Sequence, residues 1–572
     1  MAKKILYIHP FCNKNNSDFV FLPGGIVGVI NNLRKSGFEV VGINLPLEMK
    51  LNPKVNIKEL IRRYDFEIVV MDCHWYYFIH GVQELARICK EINPECIIII
   101  GGFSANFFRR ELLKHTKSLD IIIKGDSESL LPKLCNQLFS KKKKGLRNIP
   151  NIAYKNVFGV IKDNKISVFD NNIDEFDYVD LTFMLHWKEY LHFQPGEEGP
   201  GISQRFNQER FFYLPTQKGC INACPSCGGS TTSYRLLSNK KGFCVRSPKK
   251  IIEDITKINS LGINNIMISC QSKFNKWVLI LKELEKRKVF VNMMFEDWSL
   301  PKKDFVKQMI SYSKNKESGF LISPLCGNED LRKKNGKMFT NEELFEFTRL
   351  ISQSEHSYAT VWFSPNLVGA TKKSFEETIL LAKELERMNL NSNKNNIQNL
   401  VGSMELDLTS DMYQRPDFYN HTEKLWDFDY FISFLKGKKE GKNLGNMSYI
   451  SQEISVSDSN EMINRFNKEM QLLKKRILFS KKEGHFSGEE DLEIEKYELK
   501  DEFIDVYIKN NSEREINLSE TGVRYIGEDK SVFEKTKQVL KPGRNKIRIN
   551  FKRKIWHFII RTEDVTAVGL KV

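Results

Sequence analysis

The chain has 572 residues, with 88 Lys and Arg against 72 Asp and Glu, a net charge of +16, and 11 Cys. That length exceeds what one hydrophobic core serves, so about three or four domains are expected. An odd thiol count, no charged-apolar-small leader and no apolar run of membrane-spanning length argue against a secreted disulfide scaffold or an integral membrane protein, and point to reduced thiols in the cytoplasm. The run Lys141 to Lys144 reads first as solvated surface, with attraction of an anionic substrate or a nucleic acid as the alternative.

Residues 1–140 alternate short apolar strands with amphipathic helices. Lys4 to Ile8, Val40 to Ile43, Ile68 to Met71, Ile97 to Ile100 and Ile121 to Ile123 are predicted strands; Val27 to Leu33, Gln83 to Ile92 and Leu130 to Leu138 carry helix periodicity. The alternation implies a doubly wound parallel sheet, in which ligands bind at the carboxyl ends of the strands. The segments there are His9-Pro10-Phe11, Asp72-Cys73-His74-Trp75, Gly101-Gly102-Phe103-Ser104 and Gly125-Asp126-Ser127-Glu128. A glycine pair after a strand lets a flat ligand or a phosphate reach the backbone. His74 reads either as a ligand contact or as a strand-end histidine bonded to backbone. Residues 141–205 form a connecting region with two short strands, an aromatic stretch from Phe183 to Phe193 and a loop at Pro195 to Gly201.

The strand-like Phe211-Phe212-Tyr213-Leu214 is followed by Cys220, Cys224 and Cys227 in a C-x3-C-x2-C triplet. Three thiolates in one short loop hold three corners of a 4Fe-4S cube and leave the fourth iron open for chemistry. The alternatives are a zinc knuckle or structural thiols, but structural zinc takes four ligands and no fourth Cys or His lies within the loop. From 206 to 425 a strand-then-helix pattern repeats: Arg210 to Pro215, Asn265 to Ser269, Val289 to Met294, Gly319 to Ser323, Thr360 to Phe363 and Leu400 to Glu405. Helices such as Ser247 to Ser260 and Lys373 to Met388 fall between, which predicts a partial (β/α)6 barrel. Its strand ends are Ser269-Cys270-Gln271, Glu296-Asp297-Trp298, Ser323-Pro324-Leu325-Cys326, Ser364-Pro365 and Glu405-Leu406-Asp407. Cys270 and Cys326 are candidates for donating a hydrogen atom or holding a further cluster, with inert packing as the alternative.

Beyond 425 a Lys- and Gly-rich loop, Lys436 to Asn446, precedes Ile463, Phe466, Met470, Leu473 and Ile477, which share one helix face. Alternation in Phe503 to Ile508 and Lys546 to Phe551, with a turn at Pro542-Gly543, predicts a small antiparallel β-domain. The segments divide as 1–140, 141–205, 206–425, 426–485 and 486–572.

The N-terminal α/β region followed by the cysteine triplet resembles, over residues 1 to about 425, the cobalamin-dependent branch of the radical S-adenosylmethionine (SAM) superfamily. The resemblance implies a Rossmann-like cobalamin domain, a radical SAM barrel, and a cluster on Cys220, Cys224 and Cys227 whose open iron binds SAM. Gly101-Gly102 stands where the cobalamin fold carries its glycine pair, and His9, Asp72, His74 and Asp126 stand at neighbouring strand ends. The Asp-x-His-x-x-Gly loop that supplies a histidine to cobalt in many cobalamin proteins is missing after the first strand; Asp72-Cys73-His74 follows the third, with Tyr77 where glycine would stand. Ser323 and Arg332 match the segment whose serine and arginine approach the ribose and carboxylate of SAM, and Glu296 is a further candidate toward SAM. Ser269-Cys270-Gln271 stands where many members carry a glycine pair and an acid for SAM's amino group, which leaves that contact unassigned. The expected activity is cobalamin-dependent methylation of an unactivated carbon, served by a low-potential electron donor such as flavodoxin or ferredoxin, with neither a membrane nor a nucleic acid as partner. The alternatives are a radical rearrangement or cyclisation, or a non-catalytic cluster-bearing sensor.

Overall fold

The computed structural model describes residues 3–12, 20–141, 144–192, 210–240, 242–270, 274–297, 299–392, 396–420, 427–439, 453–482, 492–510, 515–525, 532–552, 555–562 and 567–571. The sequence readings at Pro195 to Gly201, Gln271, Trp298 and most of Lys436 to Asn446 lie outside these residues. The chain divides into two compact units, Met1–Asn464 and Arg465–Val572.

In the first unit, β1 (Lys4–His9), β2 (Glu39–Asn44), β3 (Ile68–Asp72), β4 (Ile97–Gly101) and β5 (Ile121–Ile123) form a parallel sheet in the order β2-β1-β3-β4-β5. The short antiparallel strands β6 (Ile152–Lys155) and β7 (Ile161–Asp163) extend it past β5. The β-branched strands are apolar on both faces because helices cover both. Those helices are α1 (Gly24–Lys35), α2 (Leu45–Leu51), α3 (Ile57–Arg62), α4 (Ile79–Ile92), α5 (Phe103–Phe107), α6 (Arg109–His115) and α7 (Leu130–Lys141). Ile8, Ile98, Ile100, Ile122, Val82, Leu85 and Leu112 are fully buried in the core they share.

A short helix α8 (Trp187–Tyr190) leads to the second sheet. There β8 (Phe211–Pro215), β11 (Asn265–Cys270), β12 (Asn292–Asp297), β13 (Ser318–Leu325), β14 (Ser357–Phe363) and β15 (Ile397–Val401) lie in sequence order, every neighbouring pair parallel. The hairpin of β9 (Gln217–Lys218) and β10 (Cys244–Val245) brackets the cysteine loop and helix α9 (Thr231–Ser238). Six parallel strands in order are the predicted partial barrel. Several boundaries differ; the fifth strand, for one, starts at Ser357 rather than Thr360. The third strand starts at Asn292 rather than Val289, and the sixth ends at Val401, so Glu405 falls in the loop beyond it. Just past that end lies Gly402, where a Cβ would lie 2.5 Å from the Trp362 ring, so the bare backbone passes close to that indole.

After β15 the chain returns to the first sheet. Phe428 and Phe431 pack on Phe108 with ring centroids 5.2 and 5.5 Å apart, and Leu406, Leu408 and Met412 join the same core. The two sheets are thereby fixed to one another within the unit. The helix Val456–Lys482 buries Met462, Phe466, Met470 and Leu473; of the predicted apolar face, Ile463 is only half-buried, and the Ile477 side chain lies outside the described residues.

The second unit is the predicted antiparallel β-domain. Leu492–Leu499, Phe503–Asn510 and Gly543–Asn550 make one sheet; Ile516–Tyr525 pairs with Val532–Lys535 and with Ile555–Thr562, which pairs with Ala567–Lys571 in a second. Ile504, Val506, Ile508, Leu518, Ile547 and Ile560 form their shared core. Alternate residues of each strand face inward, as a two-layer sandwich requires.

Candidate cofactor cavity

The carboxyl ends of the two parallel sheets open onto one cavity of about 840 Å³. From the first sheet it takes Asp72, His74, Gly101, Gly102, Gly125 and Asp126; from the second, Ser269, Ser323, Leu325 and Trp362; from the cysteine loop, Cys220, Cys224 and Cys227. Aromatic rings build much of the wall between. Phe21 meets Tyr213 edge-on at 5.0 Å, and His74 stacks on Phe103 at 4.5 Å.

On the first sheet the strand order places the topological switch between β1 and β3, where ligands of this architecture sit. Asp72 stands there, its carboxylate accepting from Tyr7 Oη at 2.8 Å and hydrogen-bonded to His9 Nδ1 at 3.0 Å. His9 is fully buried behind Asp72 and edge-on to Phe78 at 5.0 Å, so it braces that carboxylate rather than lining the cavity. Burial pulls the His74 imidazole down to about 4 against the opposing charge of Asp72, so the ring on the wall is neutral at pH 7. Gly102 has φ +113, and a Cβ there would lie 2.7 Å from the Cys73 carbonyl and the His74 nitrogen. Only glycine fits, and the bare backbone leaves a flat surface on the wall.

The cysteine loop is held from three sides. Asn222 N donates to Cys220 Sγ at 3.2 Å, Gly228 N donates to Asp407 Oδ2 at 2.8 Å, and Met412 N donates to Pro225 O at 3.0 Å. Gly336 has φ +87 and abuts Cys224 so closely that a Cβ would lie 2.8 Å from its nitrogen and 3.0 Å from its sulfur. Burial first, and then the Asp407 carboxylate, push the Cys227 thiol up; the same burial raises Asp407 to about 6 against the hydrogen bond from Gly228. A cationic cluster offsets such a penalty, because metal binding deprotonates the thiol. Among the described residues no three His, Cys, Asp or Glu side chains converge on a single-ion site, as tetrahedral zinc requires. A cubane instead takes each thiolate on a different iron. Three thiols on one wall, an amide aimed at one sulfur and a glycine against another fit the group.

Several sequence-predicted residues lie elsewhere. Arg332 is fully buried, and its guanidinium donates to Pro324 O at 3.1 Å, Cys326 O at 2.7 Å, Phe339 O at 3.0 Å and Asn341 Oδ1. It is therefore neither on the cavity wall nor paired with Glu329 or Asp330; a desolvated guanidinium needs acceptors, and three loop carbonyls supply them. Between two of those carbonyls sits Leu325, a non-glycine residue at φ +68 on the wall. Cys326 is buried with its sulfur bonded to Asn328 O, and burial pushes its thiol up to about 12, which suits packing better than radical chemistry. The Cys270 side chain lies outside the described residues. Glu296 stands behind the wall, accepting from Tyr213 Oη at 3.3 Å, and burial raises it to about 7. Lys218, Tyr234, Asn335 and Lys337 also line the cavity, the last two within the segment that carries Arg332.

Residues 14–135 match the family model for the B12 binding domain. The chain is 24% identical over 268 residues to the hopanoid C-3 methylase of Methylococcus capsulatus, covering 46% of this chain and 45% of that protein. It superposes with a TM-score of 0.56 at 14% identity on the cobalamin-dependent S-adenosylmethionine radical enzyme OxsB with aqua-cobalamin and S-adenosylmethionine bound, over 81% of this chain and 66% of that one. The chain thus resembles cobalamin-binding radical SAM enzymes and shares the fold of one of them. A second curated relative, the anaerobic magnesium-protoporphyrin IX monomethyl ester cyclase of Cereibacter sphaeroides, is 20% identical over 401 residues, 66% of this chain and 59% of that protein. The chain thus spans about half the length of these two curated relatives. No described helix is long and apolar enough to cross a membrane.

Proposed function

We propose that this chain is an enzyme that methylates an unactivated carbon, with a 4Fe-4S cluster on Cys220, Cys224 and Cys227 and cobalamin against the Gly101-Gly102 and Gly125 loops. The observation that carries the reading is the single cavity onto which the cysteine loop and the carboxyl ends of the first sheet both open. When bound, the cluster supplies the electron that cleaves SAM to a 5′-deoxyadenosyl radical, and cobalamin carries the methyl group. The chain's own residues do the rest. Gly102 lets a flat macrocycle approach the backbone, Asp72 is fixed by Tyr7 and His9, and His74 presents a neutral ring. Around the cysteines, Ser323, Asn335 and Lys337 share the wall beside Gly336 and Cys224 and form the face offered to SAM. In this arrangement Lys337 replaces Arg332 as the cation toward the SAM carboxylate. The aromatic wall keeps water from a radical formed within it. A low-potential donor such as flavodoxin or ferredoxin delivers the electron.

The methylase among the relatives favours methyl transfer, and the cyclase supports a second reading, radical cyclisation without methylation. Protein reconstituted anaerobically with iron, sulfide and cobalamin separates them. Methyl transfer is expected to consume two SAM per product, one yielding S-adenosylhomocysteine and one 5′-deoxyadenosine; cyclisation yields no coupled S-adenosylhomocysteine. Replacing Cys220, Cys224 or Cys227 by alanine is expected to abolish 5′-deoxyadenosine formation, and wild-type levels from any of the three overturn the cluster assignment.

A further inference from the structure

Between the first sheet and the cysteine loop lies a group of four charges, three of them buried and Lys218 22% exposed on the cavity wall. Asp126 and Glu128 follow β5, immediately after Gly125, and their side chains are 1% and 3% exposed. Lys218 lies in β9, two residues before Cys220, and Lys240 follows α9 with a side chain 3% exposed. Lys218 Nζ reaches Asp126 Oδ1 at 2.9 Å and both Glu128 oxygens at 2.8 and 2.7 Å. Lys240 Nζ reaches Asp126 Oδ2 at 2.7 Å and the Asp170 carbonyl at 3.0 Å. Tyr234 Oη completes the shell on Asp126 at 3.0 Å, and Asp170 N donates to it at 2.8 Å.

The charges cancel, two of each sign, and each lysine donates to groups on the first sheet or its connecting segment. Buried ion pairs of this kind add little net stability, since desolvation offsets much of the attraction; their attested use is to fix one arrangement among several. Here the arrangement is specific. The acids extend from the loop whose Gly125 lines the cavity on the proposed cobalamin side, and Lys218 begins the loop that carries the three cysteines. We infer that Lys218 is a positioning residue that sets the distance and angle of the Cys220–Cys227 loop against the cobalamin face, so that the two cofactors keep one separation across the cavity. The inference rests on the proposed cofactors, and goes beyond them in assigning the geometry between them to this ion-pair group.

The test uses the full chain reconstituted with iron, sulfide and cobalamin, and compares Lys218→Met with the charge-balanced pair Lys218→Met/Glu128→Gln, which leaves Asp126 with Lys240. Iron and cobalt contents of the double variant are expected to match the wild type. The dipolar coupling between the reduced cluster and cob(II)alamin, read by pulsed electron-spin spectroscopy, is expected to shift or broaden. An unchanged coupling at full iron and cobalt loading overturns the inference. If the wild type takes up no cobalt, the cobalamin reading fails on its own. Hydrogen exchange over residues 216–230 of the unloaded protein then decides whether Lys218 fixes the loop: faster exchange in the double variant than in the wild type supports it, and equal exchange overturns it.

Discussion

A guanidinium without solvent must find an acceptor for its N–H groups, and Arg332 finds them in Pro324, Cys326 and Phe339. These carbonyls flank Leu325, whose φ of +68 is costly for a side chain branched beyond Cβ and persists only where neighbours hold it. Arg332 therefore shapes the cavity wall from behind. Replacing it by methionine keeps most of the volume but leaves three loop carbonyls short of a donor, at about 1–3 kcal/mol for each that stays dry. The expected outcome is a loss of roughly 3 kcal/mol in denaturant unfolding, with weakened SAM binding as a consequence of loop movement. Stability equal to wild type together with weakened SAM binding would instead return Arg332 to direct contact with SAM.

The cysteine loop is an element whose shape is imposed from outside. It has almost no regular structure, and Asp407, Met412 and Gly336, all far along the chain, help to hold it. Gly336 bears on the loop's thiols most directly, because a methyl group there would strike Cys224. Gly336→Ala is expected to lower iron content after reconstitution. Gly262→Ala is the control: its φ of +75 imposes a similar backbone penalty of about 1 kcal/mol, but nothing lies within 4 Å of the added methyl. Equal iron in both variants would show that contact with Cys224 does not matter. Arg246 plays the comparable part for the connecting segment, donating to Ile173 O at 2.7 Å and Phe176 O at 3.1 Å while paired with Asp254. A stretch that reads as a linker is thus tied to the barrel-side helix α10 (Pro248–Ser260).

At the scale of the molecule, the first unit presents its two parallel sheets to one cavity, and a ligand filling it stabilises both together. Aquacobalamin at a hundred times its dissociation constant is expected to add about 2.7 kcal/mol to that unit by mass action, read as a rise in its melting temperature. No rise, under conditions where the cysteine cluster is intact, would count against cobalamin in this cavity. Much of this organisation was legible in the sequence. Runs such as Ile97 to Ile100 and the helices between them gave the parallel sheets, because strand and helix periodicity are local properties of the chain. The triplet Cys220, Cys224 and Cys227 gave the cysteine loop, because three thiols within one short loop need no distant partner to be noticed. The tertiary structure alone decided that Arg332 turns inward, that His9 braces Asp72, that the backbone at Gly402 passes close to Trp362, and that Lys218 joins Asp126 and Glu128. Each of these depends on a side chain meeting a partner that folding brings to it, and spacing along the chain records which residues can pair but not which burial will force together.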